Sequence, residues 1–492
     1  MLAVFRIIYL GISIWLALYG FNSFVLIFLY LKHRDDRARG AALTGFPAVT
    51  VQLPVYNEKY VIRRAIDSLA QLDWPRDKLQ IQVLDDSTDE TTAIARRRIA
   101  FYRRRGVDIS LRRRAQRAGF KAGALNEAMP DARGEFVAIF DADFCPRRDF
   151  LRQTIPHLVA HAELGFVQTR WGHLNGDFSL LTQAQALALD GHHFIEHTAR
   201  HRAGLLANFS GSGGVWRRSC IVACGGWQAD TLTEDVDLSY RAQLAGWKGM
   251  MLPGVVSPAQ LPVQFAAFKQ QQFRWAKGNM QCLFKLAAPL VRAPIGWFPR
   301  LQALIHLSYY LAHPLMLIVM LCALPLIWFG WIDTWSLAFL SLATIGPPAL
   351  YALAQRSIYP DWRRRLRALP VLVFLGTGMA LNSTVAIIEA ALGVETAFLR
   401  TPKLHIDAGA GVAGADRAYS PPADRLLWGE VLLAVYGVLV VVAALLKGNL
   451  QAIPFILLYV VGFGYTGVLA VVQRRRQKPT LPEAIKASSR AG

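Results

Sequence analysis

The sequence predicts an α/β domain with a mostly parallel sheet, set into an α-helical membrane domain. Three observations predict it. Between about residues 45 and 255, short β-rich apolar runs alternate with stretches of helical periodicity, the pattern of a sheet covered by helices on both faces. Apolar runs long enough to cross a bilayer lie on either side of that region. Hydrophobic residues make up 53% of the chain, with 13 Trp, yet 18% of residues are charged. A membrane part and a sizeable water-facing part therefore share 492 residues, enough for two or three domains.

Taken in order, residues 4–31 form an apolar run interrupted by Arg6 and small polar residues. The run is too long for a signal peptide and lacks a small-residue cleavage site, so residues 1–40 read as a transmembrane helix with its tail. The basic stretch from Lys32 to Arg39 puts that tail in the cytoplasm and Met1 outside. Residues 41–260 carry the α/β pattern, with strands expected over Thr50–Val55, Leu79–Leu84 and Glu135–Phe140. Helices are expected over Glu58–Leu72, Thr88–Arg105 and Gly119–Met129. Two of the strands end in acids, Asp85-Asp86 and Asp141-Ala142-Asp143. Ligands of such sheets bind beyond the carboxyl ends of the strands. No Gly-x-Gly-x-x-Gly or Walker pattern competes for a nucleotide.

Residues 261–300 are amphipathic and aromatic, as helices at a membrane interface are, and contain Gln271-Gln272-Phe273-Arg274-Trp275. Apolar segments follow at about 304–330, 335–354, 370–392, 427–446 and 452–472. If all five span, Arg400, Lys403 and the Arg474-Arg475-Arg476 tail fall outside, against the positive-inside tendency. If 370–392 lies in the interface, every basic loop falls inside. Gly378, Asn382, Ala386 and Glu389 share one helical face there, as an interfacial helix requires. The expectation is five spanning helices: the first, a pair over 301–356, and a pair over 427–492 with a basic tail. Residues 357–426 then hold an interface helix and a loop.

A net charge of +20 points to an anionic partner: nucleic acid, anionic lipid or a phosphorylated substrate. Much of the excess flanks apolar segments, and no zinc-finger or RNA-binding signature accompanies it, so no nucleic-acid partner is expected. The five cysteines, scattered and odd in number, read as reduced thiols. His192-His193 has no second ligand pair at zinc spacing.

The candidate chemistry is acidic. Asp141 and Asp143, two apart at a strand end, project to the same side. Two carboxylates aimed at one point suit Mg²⁺ or Mn²⁺ neutralising a diphosphate; the bland alternative is a pair of turn-forming aspartates. Asp85 is placed to hydrogen-bond a base or ribose. Asp235, in Thr233-Glu234-Asp235, sits at a helix start, where it is either a cap or a general base. Arg274 offers a planar donor fork to phosphates and Trp275 a flat face for a sugar ring, unless the two are a membrane-interface pair. Lys121 is either a second phosphate contact or a solvated lysine. The Arg runs at 96–98, 103–105 and 112–114 read as solvated or lipid-facing surface.

As an ordered set, the motifs resemble family-2 glycosyltransferases. Val51-Gln52-Leu53-Pro54-Val55-Tyr56-Asn57-Glu58, Gln82 to Asp89, Lys121 to Asn126, Phe140-Asp141-Ala142-Asp143, Thr233-Glu234-Asp235 and Gln271 to Trp275 carry the resemblance. It is closest to the processive cellulose synthase-like group, and there to the cellulose synthase-like A (mannan and glucomannan synthase) type and its bacterial relatives. The resemblance implies a GT-A, Rossmann-like fold over roughly residues 45–410. It implies donor contacts at Pro54, Tyr56, Glu58, Asp85, Lys121 and Asp141, and a metal on Asp141 and Asp143. It implies catalytic roles for Asp235, Glu234 and Arg274, and acceptor contacts at Trp275, Gln271 and Thr233. Phe398 to Lys403 is similar to a segment that gates the active site in that family.

The implied activity is inverting transfer of a hexose from UDP-glucose or GDP-mannose to a growing β-linked polysaccharide exported through the membrane helices, with export or accessory subunits as further partners. The implied setting is a bacterial inner membrane with a cytoplasmic catalytic domain. A non-processive glycolipid glucosyltransferase, with a ceramide- or diacylglycerol-type lipid as acceptor, is the alternative enzyme. A transporter or membrane scaffold is the alternative from another class. The chain departs from some relatives in having one predicted span before the catalytic region, and it shows no appended cyclic-dinucleotide-binding domain, so control by such a signal is not expected.

Overall fold

The computed structural model describes residues 2–36, 40–331, 334–396 and 424–477. Seven strands form one sheet: β1 (Val49–Val55), β2 (Leu79–Asp85), β3 (Ile109–Arg112), β4 (Phe136–Ile139), β5 (Leu164–His173), β6 (Gly214–Arg217) and β7 (Lys248–Ala259). Their order is β3-β2-β1-β4-β6-β5-β7. The β1–β2, β1–β4, β2–β3 and β5–β7 pairs are parallel, and β6 runs antiparallel to both β4 and β5. The sheet is mixed yet mostly parallel, as expected, with β6 the antiparallel strand.

The strands seen in the sequence sit at its centre because they are apolar on both faces, and β4 is buried throughout. One face packs Val51, Leu53, Ile81, Val83 and Ala138 against Ile62 and Ile66 of α2 (Ile62–Ala70), Ile99 of α3 (Thr91–Arg103) and, further along, Phe150 and Ile155. The other face packs Leu84, Val137, Ile139 and Trp216 against Leu125 of α4 (Phe120–Ala128) and, beyond it, Leu238. Each such large side chain stabilises the fold by roughly 1.5–3 kcal/mol.

The first helix, α1 (Leu2–His33), precedes this domain, and α5 (Phe150–Ala160), α6 (Leu180–Asp190), α7 (His197–Arg202), α8 (Arg218–Ala223) and α9 (Glu234–Leu244) complete its helical layers. Then come α10 (Phe265–Arg292), α11 (Trp297–Ser308), α12 (Ala312–Trp328), α13 (Thr334–Ile358), α14 (Trp362–Arg365), α15 (Leu369–Gly378), α16 (Ala380–Ala391), α17 (Leu427–Leu446) and α18 (Ile453–Gln477). Among the described residues, five stretches are long and apolar enough to cross a membrane: Phe5–His33, Trp297–Trp328, Ala338–Ile358, Leu427–Leu446 and Leu450–Val472. Helices α1 and α13 meet through small residues, as membrane helices do: a Cβ on Gly20 would lie 2.4 Å from the Ala343 Cα.

Helices α15 and α16, covering the 370–392 segment, are bent by 42° at a one-residue break, so the count is five spans or six if the pair is one. The polar face of that segment meets protein. Asn382 Nδ2 donates to Lys269 O of α10 at 3.1 Å, and a Cβ on Gly378 would lie 2.5 Å from Gly462 O of α18. The stripe expected to face lipid headgroups is satisfied by neighbouring helices, which is the other way a polar face in an apolar setting is accommodated. Phe398 to Lys403 lies outside the described residues, as do 397–423 as a whole.

Candidate active site

Lys121 joins the loops at the carboxyl edge of the sheet. It lies in the first turn of α4, whose N-terminus is shaped by left-handed Gly119 (φ 65°) and Phe120 (φ 48°). A non-glycine residue in that region is strained, and such strain gathers at functional loops. The Lys121 ammonium lies 2.8 Å from Asp141 Oδ1 and 3.5 Å from Glu234 Oε1, and it donates to Gly211 O at 2.9 Å. Just past β4, the Asp141 backbone N–H donates to Ser212 Oγ at 2.9 Å.

Thr233, Glu234 and Asp235 open α9. Thr233 makes no side-chain cap; its hydroxyl instead meets Cys282 Sγ of α10 at 3.4 Å. Asp235 lies against Gly211, where a Cβ would stand 2.9 Å from Asp235 Oδ2. Gly211 has φ +75°, so both its backbone and this contact require glycine. Burial raises the Asp235 carboxyl, the Glu234 charge raises it further, and Lys121 pulls it back, leaving it at about 7. That is the range in which a carboxylate serves as a base near neutral pH. Burial works against the Lys121 charge, but Asp141, Glu234 and Asp235 outweigh it and hold the lysine above its ordinary range.

Arg274, on α10, gathers the acids. Burial lowers its affinity for the proton, and the charges of Glu234, Asp141, Asp235 and Asp143 oppose that. The charges of all four carboxylates thus act on this one guanidinium. Helix α10 is pressed against the start of α9: a Cβ on Gly278 would lie 2.6 Å from Thr233 Cγ2 and 2.9 Å from its N, and Gln281 Oε1 accepts from Leu232 N at 2.9 Å. Trp275 and Gln271 lie on the same helix and are partly buried. The neighbouring Gln272 Oε1 accepts from Tyr310 at 3.4 Å.

The β1 end is built differently. Pro54 lies in β1, beside Leu84 of β2. Tyr56 lies under the Arg117 guanidinium, 3.5 Å from the ring centroid, a cation–π stack. Asn57 is left-handed (φ 53°) and accepts from Thr88 N at 2.8 Å, which ties the loop after β1 to the loop after β2. The Glu58 carbonyl accepts from Val61 N at 3.0 Å and so begins the turn into α2. Asp85 ends β2. Its side chain is fully enclosed: Ser87 N donates to Oδ1 at 2.9 Å, the Thr92 hydroxyl to Oδ2 at 2.6 Å, and Arg113 lies 3.7 Å away with a half-exposed side chain. Sequence reasoning passed over Gly211, Ser212 and Gly278; the run Ser210-Gly211-Ser212-Gly213-Gly214 was a tight-turn signal for the first two.

Among the described residues, no group of three or more His, Cys, Asp or Glu is arranged to hold a metal ion by protein ligands alone. Asp141 and Asp143 are carboxylate donors of the type Mg²⁺ or Mn²⁺ takes when phosphates and water complete its shell, and Asp141 Oδ1 is here held by Lys121 at 2.8 Å.

The mixed seven-stranded sheet with helices on both faces is a GT-A fold. Residues 47–278 match the family described as Glycosyltransferase like family 2, and this stretch is a family-2 glycosyltransferase domain. Over 262 residues the chain is 41% identical to glucomannan 4-beta-mannosyltransferase 1 of Oryza sativa subsp. japonica, covering 52% of this chain and 50% of that protein. It is 39% identical to glucomannan 4-beta-mannosyltransferase 2 of Arabidopsis thaliana, over 52% of this chain and 49% of that one. The chain thus spans about half the length of the curated relatives it matches. These are enzymes of the group that the ordered motifs resemble. The mannosyltransferase PcManGT of Pyrobaculum calidifontis, solved with GDP-Man and Mn²⁺, shares the fold: TM-score 0.55, 24% identity, 79% of this chain and 100% of that one.

Proposed function

We propose that the chain transfers mannose from GDP-mannose to the end of a growing β-linked mannan or glucomannan, with inversion at the anomeric carbon. The observation that carries this reading is Lys121 bridging Asp141 at 2.8 Å and Glu234 at 3.5 Å, beside buried Asp235 and within the charge field of Arg274. The names of the plant relatives favour mannose over glucose. GDP-mannose and Mn²⁺ in the Pyrobaculum calidifontis enzyme agree with that choice.

In this reading Asp141 and Asp143 would hold Mg²⁺ or Mn²⁺, which would supply charge to neutralise the diphosphate. Pro54, Tyr56 and Glu58 line the nucleotide's loop, and Asp85 acts on the nucleotide by fixing Arg113. Asp235 accepts the proton of the acceptor hydroxyl as that oxygen attacks the anomeric carbon. The bond from that carbon to the diphosphate oxygen breaks, and the electron pair leaves with the nucleotide. Arg274 stabilises the charge that develops there. Lys121 keeps Asp235 and Glu234 from repelling each other out of place. Trp275, Gln271 and Thr233 hold the acceptor end. The catalytic domain lies at the cytoplasmic face of a membrane, and the product leaves through the spanning helices.

Membranes containing the chain, given labelled GDP-mannose, should make a polymer cut by β-mannanase. Asp235→Asn should bind GDP as the wild type does and make none. Full transfer by that variant would refute the base assignment, and a single sugar added to lipid would refute the polymerase.

A further inference from the structure

A buried ion pair on the far side of α10 has no part in the chemistry above. Lys277, two residues beyond Trp275, has a side chain that is 1% exposed. Its ammonium donates to Glu389 Oε2 at 2.8 Å, to Val394 O at 2.7 Å and to the Thr396 hydroxyl. Three donors meet three acceptors, so a charge that would be costly to bury alone is fully paired. All three acceptors lie on α16 or just past its end.

The next residue faces the other way. Gly278 allows the backbone of α10 to touch Thr233, and Lys285, two turns on, pairs with Asp230 and Asp237 at 2.7 and 2.8 Å. At one level, then, α10 is held from both sides: by Lys277 onto α16, and by Gly278 onto the residue that begins α9. Arg274 lies one turn before Gly278 and so on the same face. Its separation from Glu234 and Asp235 follows from where that level is fixed.

We propose that Lys277, with Glu389 as its partner, is a positioning residue for sugar transfer: it sets how far α10, and Arg274 on it, stands from the start of α9. The proposal rests on the transferase reading above, and its test separates the two. A proximity reporter comes from Thr233→Cys, whose thiol would face native Cys282, now 3.4 Å from the Thr233 hydroxyl. In the full chain, diamide should drive a disulfide between the introduced thiol and Cys282, mapped by peptide mass spectrometry. Adding Lys277→Met should slow that cross-link several-fold, and Lys277→Arg should restore it.

Without the reporter, Lys277→Met should lower kcat by about 10- to 100-fold, the scale of a misplacement near 1 Å, while GDP binds within about twofold of wild type. Lys277→Arg should recover most of that loss. Glu389→Gln, which keeps the heavy atoms in place, should give the same split at smaller amplitude. Unchanged cross-linking and kcat in Lys277→Met, or a loss of GDP binding as large as the loss of kcat, overturns the proposal, as does a wild-type Glu389→Gln. If the wild type transfers no sugar but the cross-link still responds to Lys277→Met, the transferase reading falls and the positioning role stands.

Discussion

Replacing Gly278 by alanine sets two effects against each other in one methyl group. In an isolated helix the change stabilises by about 1 kcal/mol, because glycine is the poorer helix former. Here the new Cβ would sit 2.6 Å from Thr233 Cγ2, 2.7 Å from its Oγ1 and 2.9 Å from its backbone N, about 0.8 Å short of ordinary contact at the closest point. A backbone nitrogen cannot swing aside as a flexible side chain can, so α10 itself must retreat. Overpacking of this kind costs about 1–3 kcal/mol, which leaves the fold near or somewhat below wild-type stability. Activity is more sensitive, since Arg274 moves with the helix, and a displacement near 1 Å at a reacting centre costs on the order of 100-fold. The assay pairs thermal unfolding in detergent with initial rates of mannose transfer at saturating GDP-mannose. The expected result is a small change in melting temperature beside a drop in kcat of about 30- to 100-fold. A Gly278→Ala enzyme that is both more stable and fully active would refute the contact between α10 and the start of α9.

Other outcomes follow from the same geometry. Because the Asp235 carboxyl is held at about 7, transfer should climb with pH through that value and level off above it, read from kcat/KM between about pH 5.5 and 9. The raised folded value also means that Asp235 favours folding fully below about pH 4 and loses that contribution as pH rises through 7. Asp235→Asn should therefore melt higher than wild type at about pH 8, with the gap closing toward pH 4; no gap at any pH would count against a buried, raised carboxyl. Lys121→Met removes the charge that pulls Asp235 down, so the acid limb of the rate profile should move to higher pH, and an unmoved limb would separate Lys121 from Asp235. Chelation with EDTA should abolish transfer, with Mn²⁺ or Mg²⁺ restoring it, and Asp143→Asn should raise the Mn²⁺ concentration needed by about 10- to 100-fold; full transfer in EDTA would remove the metal from the reaction.

The centre of the sheet was legible because β1, β2 and β4 are short runs apolar on both faces, bounded by acids. The ends of the neighbouring helices were less so. The helix expected from Glu58 begins at Ile62, since Asn57 is left-handed and Glu58 to Val61 form a turn. The helix expected from Thr88 begins at Thr91, with Asp89 Oδ1 accepting from Thr91 N at 2.9 Å. Strand β6 was invisible: four residues between a glycine-rich turn and a short helix carry too little periodicity, and its antiparallel course follows from tertiary pairing. In the site, pairing across the fold decided what the sequence could not. Asp85 stands at its expected strand end, held locally by Ser87 and Thr92, whereas Lys121 reaches Asp141 and Glu234 from a separate loop. The polar stripe of α16 pointed to water or headgroups, whereas its partners are Lys269 and Lys277 of α10, more than 100 residues earlier.

The most direct measurement is the product itself. Membranes bearing the full chain, supplied with labelled GDP-mannose or UDP-glucose and Mn²⁺, are extracted for lipid and polymer, and the polymer is digested with β-mannanase and with β-glucanase. The account predicts label from GDP-mannose in a polymer that β-mannanase degrades, and none when Asp235→Asn replaces the wild type. Label confined to lipid as a single sugar, or a polymer made equally well by Asp235→Asn, would contradict it.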